Sequence, residues 1–282
     1  MKLHVIGGDM IKLVVSDVDG TLVSDGGNKL NPSIFECINK LNDKGIRFVV
    51  ASGRSYTSLL SLFDPVKDNI IFCCENGAYV RYRDEEILKR TIDKELLKGL
   101  IENSKQIPSI VPCICKPEVM MVNDSEKEAL DWLIEGYRTN LEIVDDIAEI
   151  DLDNVVQFSV MDLIGVERNC GNKYDKKWWD LLTVAESGYN WLDITAKNVS
   201  KGDALEKIVN YLGINFDNVI AFGDNHNDLS MLKKVKYSFA VSNARKEVID
   251  ISKYITKSNN EDGVLLVLNK ILEGDYDFNG LV

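Results

Sequence analysis

Histidine is nearly absent from this sequence: His4 and His226 are the only two, too few and too far apart for a histidine-rich metal site. Cys-X-X-Cys pairs are missing as well. The six cysteines are Cys37, Cys73, Cys74, Cys113, Cys115 and Cys170. Several lie in apolar, strand-like runs, which argues against a zinc site or disulfide framework and for buried, reduced thiols in a cytoplasmic protein. No apolar stretch approaches the ~20 residues needed to cross a bilayer. Met1–Met10 has an apolar run too short for a signal-peptide core and reads as a short extension, with Met10 the effective start. Basic residues are in deficit, 33 Lys+Arg against 45 Asp+Glu, for a net charge of −12. That balance excludes a general nucleic-acid or anionic-membrane surface, but not an anionic substrate held in a locally positive site. Internal repeats, low-complexity tracts and heptad seams are missing too, so a monomer or weak homo-oligomer is expected.

What remains is ordinary globular material: 282 residues, 45% hydrophobic and 28% charged, enough for one large domain or two smaller ones. Ile11–Val15 reads as a buried parallel strand. A helix is predicted from Pro32 to Asp43, with Gly45 just beyond it, followed by strands at Ile46–Ala51 and Ile70–Cys74. This alternation predicts a parallel sheet with right-handed crossovers. From about Tyr82 to Tyr189 the rhythm changes. Helical stretches Lys94–Ser104 and Glu126–Tyr137 mix with strand candidates Val119–Val122, Val155–Met161 and Leu181–Ala185, as in an α+β insertion with its own core. Trp132, Trp178, Trp179 and Trp191 fall in or beside it, and core packing is the expected role for most of them. After Leu192 the alternation returns, with a helix from Lys201 to about Leu212 and strands at Val219–Phe222, Ser238–Val241 and Tyr254–Thr256.

Polar residues recur where predicted parallel strands stop. Asp17-Val18-Asp19-Gly20-Thr21 follows the first, Ser52-Gly53-Arg54 the second, Glu75-Asn76-Gly77 the third, and Gly223-Asp224-Asn225-His226-Asn227-Asp228 a later one. Two carboxylates one residue apart suit a nucleophile that attacks phosphorus beside an acid that protonates the leaving oxygen. An Asx-rich turn is the plainer reading of the first cluster, and a polar loop with an Asp/Asn helix cap that of the last. Parallel strands share a side at their carboxyl ends, however, so the clusters should converge. Converging carboxylates repel and are costly to bury without a cation, for which Mg²⁺, an oxygen-seeking ion, is the natural choice. A phosphate would find the Ser52 hydroxyl, backbone N–H groups near Val18 and Gly53, and Lys201 at a helix start. Taken alone, Lys201 reads as a solvated surface lysine.

These residues resemble the haloacid dehalogenase superfamily of phosphatases, specifically the Cof-type subgroup whose cap lies between the second and third motifs. The matching stretches are Asp17–Thr21, Ala51–Arg54, Val199–Gly202 and Gly223–Asp228, with Glu75–Ala78 and Glu261–Val264 as subgroup features. The resemblance implies a Rossmann-like, doubly wound α/β core formed by residues 1–81 and 190–282, with an α+β cap over 82–189 that closes on the site and chooses the substrate. It implies Asp17 as nucleophile, forming an aspartyl-phosphate, and Asp19 as general acid and then base. Asp17, the Asp19 carbonyl and Asp224 would bind Mg²⁺, with Asp228 behind them. The Val18 backbone, Ser52, Gly53, Lys201 and Asn227 would hold the phosphoryl group of a small phosphorylated metabolite. Asn198 stands where the subgroup often has glycine, and Asn tolerates left-handed backbone. A phosphomannomutase-like sugar phosphomutase and a non-catalytic phospho-aspartate sensor are the alternatives. Against the sensor stands Asp19, a group poised to hydrolyse the phospho-aspartate.

Overall fold

A computed structural model describes residues 11–24, 26–124, 127–174, 176–187 and 189–282. The segment Met1–Met10 lies outside the described residues, as does Glu126, the expected start of one helix. In chain order the strands are β1 (Leu13–Ser16), β2 (Arg47–Ala51), β3 (Ile70–Cys74), β4 (Tyr79–Tyr82), β5 (Glu85–Lys89), β6 (Ile110–Lys116), β7 (Val119–Asn123), β8 (Leu141–Val144), β9 (Gln157–Asp162), β10 (Leu182–Glu186), β11 (Trp191–Ala196), β12 (Val219–Gly223), β13 (Tyr237–Val241) and β14 (Tyr254–Thr256).

Successive side chains of a strand leave on opposite faces, and here both faces are apolar. Val14, Phe48, Val50, Phe72 and Phe222 pack against Ile34, Ile38 and Leu41 of helix Ser33–Asp43 and Val267, Leu268 and Ile271 of helix Gly263–Glu273. Their neighbours Leu13, Val15, Val49, Ile71 and Ala221 pack against Ala204, Leu205 and Ile208 of helix Lys201–Leu212. A strand covered on both faces must be β-branched and aromatic throughout, which is why these stretches read as continuous apolar runs. The result is an α/β, doubly wound sheet in the order β14-β13-β12-β1-β2-β3-β4-β5. It is parallel from β14 to β3, and β4 and β5 add to it as an antiparallel hairpin.

The inserted α+β cap is built on a second sheet, ordered β10-β11-β9-β6-β7-β8 and antiparallel except where β7 meets β8. Helix Lys94–Ser104 covers one face through Leu97, Leu100 and Ile101. Strand pairing moves the boundaries from those expected. The β4–β5 hairpin belongs to the first sheet although it passes residue 82, and Trp191–Ala196 pairs with β9 in the second although it follows 189. Hairpin pairing is local and continues the sheet edge past the point where the helix–strand rhythm stops. The predicted helix over 126–137 also changes character: after Lys127–Asp131 it widens into a π-turn, Trp132–Gly136, with Tyr137 N–H donating to Trp132 O five residues back. That turn sets the Trp132, Tyr137 and Trp191 rings in mutual contact, centroids 5.6–6.3 Å apart. Of the four tryptophans, Trp178 and Trp191 are buried, whereas Trp179 is 40% exposed.

All six cysteines are buried and unpaired with one another, and burial pushes the Cys73 thiol up to about 12. Since the thiolate is the reactive form, the native protein is expected to leave all six thiols unreacted for minutes with an aromatic disulfide reagent. In guanidinium all six should react; fast labelling of any one in the native state would contradict the burial. Among the described residues no helix is long and apolar enough to cross a membrane.

Candidate active site

β1 and β12 are neighbours, and the chain proceeds from them in opposite directions across the sheet. Their carboxyl ends therefore flank the crevice where such sheets hold ligands. Just past β1 the Val18 carbonyl accepts the N–H groups of Thr21, Leu22 and Val23, folding the chain back on itself. Gly20 allows this, at φ +80°, and a Cβ there would lie 2.4 Å from Asp224 Oδ2. The β1 and β12 loops can touch only because that position has no side chain. The Thr21 hydroxyl then donates to Asp224 Oδ1 at 2.7 Å.

Lys201 arrives from the other direction. Ser200 caps its helix by accepting the Asp203 N–H at 3.1 Å, an interaction worth about 1 kcal/mol. Asn198 enters the cap at φ +63°, the left-handed geometry expected of it. Lys201 is no surface lysine: its Nζ is buried, 2.5 Å from Asp17 Oδ1 and 2.6 Å from Asp228 Oδ1. Asp228 Oδ2 accepts the N–H groups of Asp224 (2.9 Å) and Asn225 (3.0 Å). The two readings of Gly223–Asp228 therefore coincide, because Asp228 closes a capping box with Asn225 and faces Lys201 at once. With both oxygens so engaged, Asp228 stands behind the front carboxylates.

Asp17, Asp224 and Asp228 offer oxygens within 4.8 Å of one another. Burial pushes Asp17 well above the usual carboxylate range, against the pull of Lys201. Burial, then Asp228, pushes Asp224 up to about 7. Burial also works against the Lys201 ammonium, but Asp17 and Asp228 outweigh it and keep the lysine charged. Four carboxyl groups, those of Asp17, Asp19, Asp224 and Asp228, meet the two cations Lys201 and Arg54, so ionising all four would leave two negative charges uncompensated. A hard, all-oxygen donor set with that deficit fits a divalent cation such as Mg²⁺.

Asp19 turns away from this cluster. Its carboxylate accepts Arg54 Nε (2.8 Å) and Nη2 (2.5 Å) and the Gly26 N–H (3.1 Å). Arg54 also donates to Gly27 O and lies 4.9 Å from the Tyr137 ring centre. Asp17, Asp19, Ser52, Gly53 and Asn227 line one cavity between the two sheets. Ser52 Oγ accepts the Arg54 N–H, and Asn227 Nδ2 donates to Asn76 Oδ1. Val18, Lys201, Asp224 and Asp228 lie outside its lining.

Residues 14–268 match the model of the haloacid dehalogenase-like hydrolases. The chain belongs to that family. A 5-amino-6-(5-phospho-D-ribitylamino)uracil phosphatase of Escherichia coli, YbjI, is 28% identical over 269 residues, covering 95% of this chain and 99% of its own. Phosphoglycolate phosphatase 1 of Saccharolobus solfataricus is 27% identical over 269 residues, again 95% and 99%. A solved structure from Eubacterium rectale matches with a TM-score of 0.81 at 34% identity, over 93% of this chain and 99% of that one. The Cof-type phosphatase indicated by motif order is the family in hand, and the chain is a phosphoric monoester hydrolase.

This haloacid dehalogenase-like hydrolase also carries cavity residues that sequence reasoning left without a role. Arg54 was visible as the last residue of Ser52-Gly53-Arg54, but its partner was not. From the cap come the polar Gln157, Ser159, Ser187 and Asp193 and the larger Met120, Leu133, Tyr137 and Trp191. Asp193 is buried, which raises its carboxyl, and it accepts from Ser159 Oγ (2.7 Å) and Asn76 Nδ2 (2.8 Å). No spacing in the sequence marks these positions, since their meeting depends on how β9 pairs with β11.

Proposed function

We propose that this phosphatase hydrolyses monophosphate esters of small metabolites in two steps at Asp17. An Asp17 carboxylate oxygen attacks phosphorus and the ester P–O bond breaks, leaving an aspartyl-phosphate, while Asp19 gives its proton to the departing alkoxide. Water then attacks the acyl-phosphate, Asp19 takes its proton back, and Asp17 and inorganic phosphate are released. Lys201, the Ser52 hydroxyl, the Asn227 amide and the backbone of Val18 and Gly53 hold the phosphoryl oxygens. Arg54 holds the Asp19 carboxylate in place and must loosen its grip for Asp19 to take up and give a proton. Asp17, Asp224 and the Asp19 carbonyl, with Asp228 behind them, would hold Mg²⁺, which when bound neutralises charge on the phosphoryl oxygens.

The observation that carries this reading is the buried Asp17–Lys201–Asp228 arrangement, with Asp224 beside it, where Asp17 opens onto a cavity walled by residues of both sheets. The inserted unit built on the β6–β11 sheet, with helix Lys94–Ser104, acts as the cap that encloses substrate. All of the site comes from one chain, which suits a monomer or weak homo-oligomer, and the buried thiols suit a reducing cytoplasm. The substrates in the relatives' names, a phosphorylated ribitylaminouracil and phosphoglycolate, are small phosphorylated metabolites and belong in the first substrate panel.

The test is phosphate release from p-nitrophenyl phosphate with Mg²⁺ and with EDTA. Release is expected with Mg²⁺ and should fall roughly 10²-fold or more in EDTA. Folded, metal-loaded protein that releases nothing from this ester or from the panel would sink the reading.

A further inference from the structure

The turn Glu75–Gly77 after β3 contacts Ser52, Arg54, Asp193 and Asn227 of the cavity wall, although the mechanism above gives it no task. It has three successive residues at positive φ: Glu75 (+46°), Asn76 (+55°) and Gly77 (+99°). Asn accepts that region readily and Glu does not, so the turn is strained and held by its surroundings. Those surroundings are explicit. Glu75 N–H donates to Arg54 O and Asn76 N–H to Ser52 O, both at 3.0 Å. A Cβ on Gly77 would sit 2.5 Å from Ser200 O, just before Lys201. The Glu75 side chain is fully buried. Its Oε1 accepts the Tyr56 N–H, and its Oε2 has no partner.

The Asn76 side chain is where the two sheets meet. Its Nδ2 donates to Asp193 Oδ2 on β11 at 2.8 Å, and its Oδ1 accepts Asn227 Nδ2 at 3.0 Å. The orientation follows from chemistry: a carboxylate can only accept, so Asn76 must show Asp193 its NH₂ group and Asn227 its carbonyl. A second link runs alongside, Gln157 Nε2 donating to Ser159 Oγ (2.8 Å) and Gly53 O (3.3 Å).

We propose that Asn76 is a positioning residue that couples the phosphate end of the site to the cap, one amide setting Asn227 for the phosphoryl group and Asp193 for the rest of the substrate. The proposal deepens the phosphatase reading and rests on it, in that Asn227 is taken to meet the phosphate. Loss of the amide frees Asn227 to rotate and leaves Asp193 short of a donor, so phosphate is held less tightly and the cap is out of register.

The reciprocal swap tests it. Asn76→Asp keeps a side chain that tolerates left-handed backbone but sets two carboxylates face to face. Asp193→Asn added to it restores one donor and one acceptor in reversed order and returns the net charge to its starting value. The probe is inorganic phosphate, titrated by calorimetry in Mg²⁺, with thermal midpoints measured alongside. Asn76→Asp is expected to weaken phosphate binding about tenfold or more. Asp193→Asn alone, and the double variant, are expected within about threefold of the parent. A double variant no better than Asn76→Asp overturns the coupling, as does an Asn76→Asp variant that binds phosphate normally. Should Asn76→Asp not fold, Asn76→Gly accepts φ +55° without strain and removes only the amide. It should also bind phosphate about tenfold more weakly; a lowered melting midpoint with unchanged phosphate affinity would show a scaffold role and overturn the proposal. A parent protein that binds phosphate but turns over no ester overturns the hydrolase reading while the coupling stays measurable. A parent that binds no phosphate overturns the coupling itself.

Discussion

Asp17→Asn is expected to lower p-nitrophenyl phosphate turnover on the order of 10⁶-fold, the scale seen when a covalent nucleophile is removed. The amide fits the same space and keeps an oxygen for Lys201, so folding should survive while nucleophilicity does not. Asp19→Asn should behave differently. Nitrophenolate leaves without needing a proton, so Asp17 should still become phosphorylated from this ester, giving a burst of nitrophenol of about one equivalent per protein. Release of phosphate should then stall, with steady-state turnover down about 10²–10⁴-fold, the share a general acid–base group supplies. With an alkyl phosphate, whose alkoxide is a poor leaving group, no burst is expected from Asp19→Asn. Rapid-quench measurement of nitrophenol and phosphate separates the steps, and equal, complete loss of both in Asp19→Asn would contradict the division of labour.

Lys201→Met is the second large effect. The lysine is buried between Asp17 and Asp228 at 2.5 and 2.6 Å, and methionine replaces its stem without its charge. Removing one partner from a buried ion pair costs about 3–5 kcal/mol, because the other charges stay behind unpaired. The pH dependence follows from the direction of the shifts. Burial already holds Asp17 above the usual carboxylate range, and only Lys201 opposes it strongly, so the variant's Asp17 must rise further. A carboxyl raised in the folded state contributes stability at low pH and loses it as pH climbs through the folded value. The variant's deficit should therefore be small near pH 5 and largest above neutrality, read as thermal midpoint against pH. A deficit that does not change with pH would mean that packing, not charge, ties Lys201 into place.

Much of the core was legible because its signals are local. Asp93 and Ser200 cap helices Lys94–Ser104 and Lys201–Leu212, and both spans agree with those predicted. The convergence of Asp17, Ser52 and Asp224 follows from geometry alone, since parallel strands end on one side. The rest depends on pairings that sequence does not display. The β4–β5 hairpin breaks the helix–strand rhythm, β6, β8 and β11 join a mixed sheet with no regular alternation, and helix Gly263–Glu273 follows a final strand without being expected. Arg54 shows the limit within the site: its motif was read, yet the partner Asp19 lies 35 residues away and could have been a phosphate oxygen instead. The cap's Asp193 meets Ser159 only because β11 lies beside β9 in a particular register, Asp193 opposite Ser159.

That register has a practical side for changing what the enzyme accepts. Along β9 and β11 the residues Gln157, Ser159, Trp191 and Asp193 face the cavity, while Phe158, Val160, Leu192 and Ile194 between them are sealed in the cap's other core. A combinatorial library would therefore randomise alternate positions and leave the intervening ones untouched. Met120, Leu133 and Tyr137 line the same cavity and enlarge the library. Swapping side chains there is expected to change selectivity while the scaffold holds, because cavity-facing and core-facing residues are interleaved one for one.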